Sequence, residues 1–138
     1  MVQVKEGTLL WEPSEKVKNQ SNIFQYKKWL QQHKSLSFSD YHSLWQWSVD
    51  EVEAFWESIW EYFNIKSDHP YQSVLTSRNM PGAKWFPGAT INYTEHIFRQ
   101  RDMNKTAIIH ASETRSQLNI TWGQLYQDTA ALQQTLKH

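Results

Sequence analysis

Eight tryptophans in 138 residues set the first constraint on this chain. Trp11, Trp29, Trp45, Trp47, Trp56 and Trp60 all fall within the first sixty positions. An indole ring is costly to leave in water and usually buries most of its surface. An ordinary core accounts for a few such rings. So many in one short helical segment predict a flat element that packs against a larger body, one beyond this chain.

The pattern around the rings reads as helix. Residues 1–20 are expected to form an irregular arm, with Leu9, Leu10 and Trp11 as an apolar anchor and Pro13 ending any regular element. Ser21 or Asn22 caps a helix to about His33, with Ile23, Tyr26, Trp29 and Leu30 near one face. A short helix follows from Asp40 to Trp47. Ser48 to Glu51 then reads as a capping box for a third helix. In that helix Val52, Phe55, Trp56, Ile59, Trp60 and Phe63 make one wide apolar stripe. Glu53, Glu57 and Glu61 occupy the other face, where a solvated acidic row is the expectation.

Two Pro-Gly-Ala triplets, at Pro81 and Pro87, bracket Lys84, Trp85 and Phe86. Proline at the second and glycine at the third position suit a type II turn. A short extended piece between two such turns would press Trp85 and Phe86 into a neighbouring surface. The alternative is a ligand loop in which Lys84 faces an anion. Further on, residues 90–100 fit a short helix presenting Tyr93, Ile97 and Phe98, and residues 101–105 a polar linker. The period then changes: residues 106–111 and 118–121 read as two strands of a hairpin. Thr121 with Gln124 opens a last helix striped by Leu125, Thr129, Leu132 and Leu136. That helix reaches His138 without a stop signal, so the chain reads as cut in mid-domain.

Little in the sequence carries chemistry. Lys plus Arg equals Asp plus Glu at fourteen each, and no basic stripe points to nucleic acid. The absence of cysteine excludes disulfides and thiolate chemistry and suits a reducing compartment. No signal peptide or membrane-length apolar run is visible, so the cytoplasm is the expected location. The Asn-x-Ser/Thr triplets at Asn19, Asn92 and Asn119 are then chance or helix-cap features. His33, His42, His69, His96 and His110 lack mutual metal-ligand spacing, and His110 reads as an interior histidine of its strand. Four glycines form no phosphate-cradling loop, and no Gly-x-Ser-x-Gly elbow marks a nucleophile. No catalytic, cofactor-binding or metal-binding residue is assigned.

As motifs the residues say more. The segments LWEPSEKVKNQSNIFQYKKWL, LSFSDYHSLWQWSVDEVEAFWESIWEYFNI and MPGAKWFPGATINYTEHIF resemble, in content and order, the N-terminal region of the acetoacetyl-CoA synthetases. The strand–turn–strand–helix tail resembles the opening of the AMP-binding domain in the adenylate-forming superfamily. The resemblance implies a helix-rich α+β piece: an N-terminal cap region over residues 1–100, then the truncated start of an AMP-binding domain over residues 101–138. It also implies a two-step ligase reaction in the whole enzyme. Acetoacetate attacks the α-phosphate of ATP, with magnesium, to give an acyl-adenylate and pyrophosphate. The CoA thiol then displaces AMP. The family's phosphate loop, nucleotide contacts and adenylation lysine lie downstream of this chain, so Lys84 does not correspond to that lysine. The fragment alone is expected to be inactive, its partner the missing large domain. The rival expectation is a free-standing, Trp-rich interaction module that self-associates through exposed aromatic surface.

Overall fold

A computed structural model describes residues 5–136. They form six helices and one two-stranded antiparallel sheet, the helix-rich α+β class expected from the sequence. The chain divides into two units. One comprises the residues up to Ile65 together with Tyr71–Gly88; the other comprises Lys66–Pro70 and the residues from Ala89 onward.

The first unit is a small helical assembly. Its first helix, α1 (Glu15–Gln20), corrects the expected irregular arm: Ser14 accepts a hydrogen bond from the Val17 amide and starts a turn and a half of helix. Ser21 caps α2 (Asn22–Lys34), which ends at Ser35 in the left-handed conformation. Asp40 and Ser43 form a reciprocal capping box that starts α3 (Tyr41–Asp50). This helix runs through Ser48, so the expected capping box at Ser48–Glu51 does not form. The Ser48 hydroxyl instead donates back to the Trp45 carbonyl at 2.7 Å. The next helix, α4 (Val52–Tyr62), starts at Glu51 without a side-chain cap.

The core sits between α2, α3 and α4. Tyr26, Leu30 and Leu44 are its buried centre, with Trp29, Trp47, Phe55 and Ile59 packed around them half-buried. Edge-to-face contacts of Tyr26 with Phe55 and Tyr62, and of Trp47 with Phe55, knit the rings together. The anchor expected at Leu9, Leu10 and Trp11 is corrected: all three side chains are exposed.

In the second unit Asn92 caps α5 (Tyr93–Phe98), so one of the three Asn triplets is a helix cap. The hairpin pairs β1 (Thr106–Ser112) with β2 (Arg115–Thr121) across a two-residue loop, longer in its second strand than the sequence suggested. The last helix, α6 (Trp122–Leu136), starts as half a capping box. Thr121 accepts from the Gln124 amide, while the Gln124 side chain turns to Asp128. Residues 101–105 do more than link: the Met103 and Lys105 carbonyls accept from the first amides of α6. A Cβ at Gly123 would lie 3.2 Å from the Met103 carbonyl, which is why a glycine stands in that first turn. Phe98 meets Trp122 and Tyr126 edge-on, and the Arg101 guanidinium lies over the Trp122 ring. Residues 137–138, where the sequence was expected to carry the helix off the end of the chain, lie outside the described residues. No helix among the described residues is long and apolar enough to cross a membrane.

Candidate functional site

The segment between the two Pro-Gly-Ala triplets is a short paired piece that bridges at Trp85 and turns at Phe86, whose φ is 46°. Gly82 and Gly88 take positive φ values of 113° and 91°, the region a type II turn requires at its third position. Between them the chain pairs with residues 72–76. The Thr76 amide donates to the Lys84 carbonyl, the Phe86 amide to Val74, and the Gln72 amide to Pro87. Leu75 and Trp85 form the bridge itself.

This pairing aims two rings at α4. Trp85 meets Trp56 edge-on at 5.5 Å. Phe86 lies 4.5 Å from the Trp60 ring and 5.2 Å from Tyr71. The stripe along α4 is therefore split: Phe55 and Ile59 face the helical core, while Trp56 and Trp60 receive the turn. Lys84 is exposed, and it enters the pairing through its backbone. Packing is what the segment accomplishes here.

The acidic row on α4 is not simply solvated, contrary to the sequence expectation. Each carboxylate meets a group from elsewhere in the unit. Glu53 pairs with Arg78 at 2.5 Å, Glu57 accepts from the Tyr71 hydroxyl at 3.0 Å, and Glu61 pairs with Lys34 at 2.6 Å. Arg78 hydrogen bonds hold the Glu53 carboxyl below its usual range, with a smaller contribution from its own backbone amide. Burial, and then Glu57, raises Tyr71. Arg78 also donates to the Asp50 carbonyl at 3.3 Å, placing a cation at the C-terminal end of α3. It ties the α3–α4 junction to the loop, a role that no spacing in the sequence announced.

The five histidines weighed as ligands, of the six in the chain, are scattered rather than assembled. His33 and His42 stack on Trp29 and Trp45. His69 Nδ1 lies 3.1 Å from the Thr90 hydroxyl, and His96 Nε2 meets the Lys66 backbone. His110 is exposed on β1, which corrects its expected interior place: the two-stranded sheet leaves it open to solvent. Among the described residues no three His, Cys, Asp or Glu side chains are grouped to hold a metal ion.

What the first unit does offer is an apolar groove between α1, α2 and α3. It encloses about 380 Å³ and is lined by Pro13, Val17, Ile23, Phe24, Tyr41 and Leu44, with Lys18, Ser21 and Lys27 at its margin. A second hollow of about 230 Å³ shares Ile23, Tyr41 and Leu44 and continues toward Trp45. Such a surface suits docking rather than bond-making.

Residues 41–97 match the family described as the acetyl-coenzyme A synthetase N-terminus. The acetoacetyl-CoA synthetase of Danio rerio is 30% identical over 131 residues, covering 93% of this chain and 19% of that protein. The acetoacetyl-coenzyme A synthetase of Rhizobium meliloti is 28% identical over 128 residues, covering 93% and 20%. Among solved structures, the acetoacetyl-CoA synthetase from Streptomyces lividans superposes with a TM-score of 0.83 at 36% identity. Its match covers 92% of this chain and 20% of that one. The likeness is to the N-terminal region of acetoacetyl-CoA synthetases. The chain spans about a fifth of the length of these relatives. The fold is accordingly an N-terminal piece of the AMP-binding enzymes, as the motifs implied.

Proposed function

We propose that this chain is the N-terminal portion of an acetoacetate–CoA ligase and serves as a docking cap for the large domain that carries the chemistry. On this reading residues 1–100 are the cap region and residues 101–138 open the AMP-binding domain. The whole enzyme, in the cytoplasm, converts acetoacetate, ATP and CoA into acetoacetyl-CoA, AMP and diphosphate. The chemical logic is leaving-group activation: a carboxylate is a poor electrophile, and its mixed anhydride with AMP is a good one. Magnesium, ATP and CoA are bound by the remainder of the enzyme, and the isolated chain is inactive.

The observation that carries this reading is the likeness to the Streptomyces lividans synthetase, which covers 92% of this chain and 20% of that one. Acetoacetate-dependent exchange of pyrophosphate into ATP tests it. The chain alone should give no exchange. Mixed with the remaining four-fifths of the Streptomyces lividans synthetase, it should raise exchange above that of the remainder by itself. Exchange by the chain alone, or a remainder indifferent to it, would contradict the proposal.

A second reading, a free-standing interaction module, is favoured by one observation. Leu9, Leu10 and Trp11 stand out from the first unit with about three-quarters of their surface in water, at 74%, 78% and 75%.

A further inference from the structure

We infer that the N-terminal arm of one copy of this chain seats in the α1–α2–α3 groove of a second copy, whose own arm returns the contact. The inference rests on the interaction-module reading and is independent of the ligase reading. Leu9, Leu10 and Trp11 form an apolar plug of three consecutive large side chains. The groove walled by Val17, Ile23, Phe24, Tyr41 and Leu44 is an apolar socket, with Val17, Ile23 and Tyr41 themselves 55%, 44% and 66% exposed.

Plug and socket lie on one unit, and they do not meet within one copy. Pro13 is part of the socket wall. Glu12, the residue before it, is confined to extended backbone by the proline ring. The Lys18 ammonium also holds the Glu12 carboxylate at 2.5 Å. For Trp11 to fold back into a wall two residues away, the chain would have to reverse at Glu12, the position where both restraints act. The arm therefore leaves the groove rather than filling it.

A second copy resolves both surfaces at once. A two-fold axis that seats each arm in the other copy's groove makes both contacts and closes the assembly. Three large side chains remove roughly 150 Å² each from water, and the groove loses a similar area. Two such contacts total about 1,800 Å², within the range of stable protein–protein interfaces.

Sedimentation velocity of the 138-residue chain over a concentration series tests the inference. The parent should pass from monomer to dimer as concentration rises. A triple substitution, L9A/L10A/W11A, should weaken dimerisation by at least about a hundredfold. Val17→Glu, in the groove, should do the same. Both variants alter exposed side chains, and their circular dichroism should match the parent. Mixed in equal amounts, they should recover a heterodimer, since one keeps a working socket and the other a working arm. A parent that stays monomeric at the highest concentration reached overturns the inference. So does a dimer indifferent to the triple substitution or to Val17→Glu. If a monomeric parent nonetheless raises pyrophosphate exchange in the Streptomyces lividans remainder, the ligase reading stands and the exchange of arms falls.

Discussion

Ser58 is among the most enclosed side chains of the chain, at 1% exposure, and it is polar. Its hydroxyl donates to the Phe55 carbonyl at 2.6 Å, so its oxygen is left to accept from Tyr26, 2.5 Å away on α2. Burial raises the Tyr26 hydroxyl above its ordinary value, and the Ser58 bond partly opposes that rise. The two partners are not equivalent. Tyr26→Phe removes a donor and leaves Ser58 still bonded to Phe55, an expected loss of about 1 kcal/mol. Ser58→Ala strands the buried Tyr26 hydroxyl, and about 2 kcal/mol is expected. Urea denaturation of both variants checks the order, and a larger effect at Tyr26 would refute it. Nothing in the sequence announced this pair. A serine between Glu57 and Ile59 adds no signal to a hydrophobic stripe, because periodicity reports one face of a helix and Ser58 lies off it. Trp85 and Phe86 were legible for the opposite reason: flanking Pro-Gly turns and large rings are both local signals.

Among the elements, α2 was readable nearly to the residue, since it begins at a polar cap and carries its own apolar face, whereas α5 is only the middle of the expected residues 90–100. The α3–α4 junction was not. Ser48–Glu51 has the residue types of a capping box, and α3 simply continues through them to Asp50. Across the break lies Arg78, from a distant loop, bonded to the Asp50 carbonyl and the Glu53 carboxylate. A contact between residues 28 positions apart leaves no trace in local pattern. The hairpin presents a related case. Its β-branched run was legible as strand, but a strand pattern does not reveal whether anything covers it. Ile109 and Leu118 are 68% and 54% exposed, and two strands alone are marginal in water. Hydrogen exchange should therefore find the amides of α2 and α4 the slowest in the chain, and those of β1 and β2 much faster. Equal protection of the hairpin and α2 would mean that another surface covers the sheet.

At the scale of the whole molecule the constraint is area. Unfolded, a chain of 16.5 kDa exposes about 24,000 Å², and two separately compact units of these sizes expose about 9,000 Å² together. This chain exposes 11626 Å². Folding thus buries about half of the unfolded surface, where two compact units would bury about three-fifths. The shortfall, about 2,500 Å², ranks the two partners. Exchange of arms covers about 900 Å² per copy and leaves most of the shortfall open. Covering the rest takes a far larger body, of the kind supplied by the other four-fifths of the synthetases that this chain resembles. The same arithmetic predicts how the isolated chain unfolds. Denaturant slope scales with the surface exposed on unfolding, so the urea m-value should be about four-fifths of that for two compact units of these lengths. Measured at protein concentrations low enough to keep the chain monomeric, a slope near the full value would show the missing area already buried, and the argument for a covering body would fail.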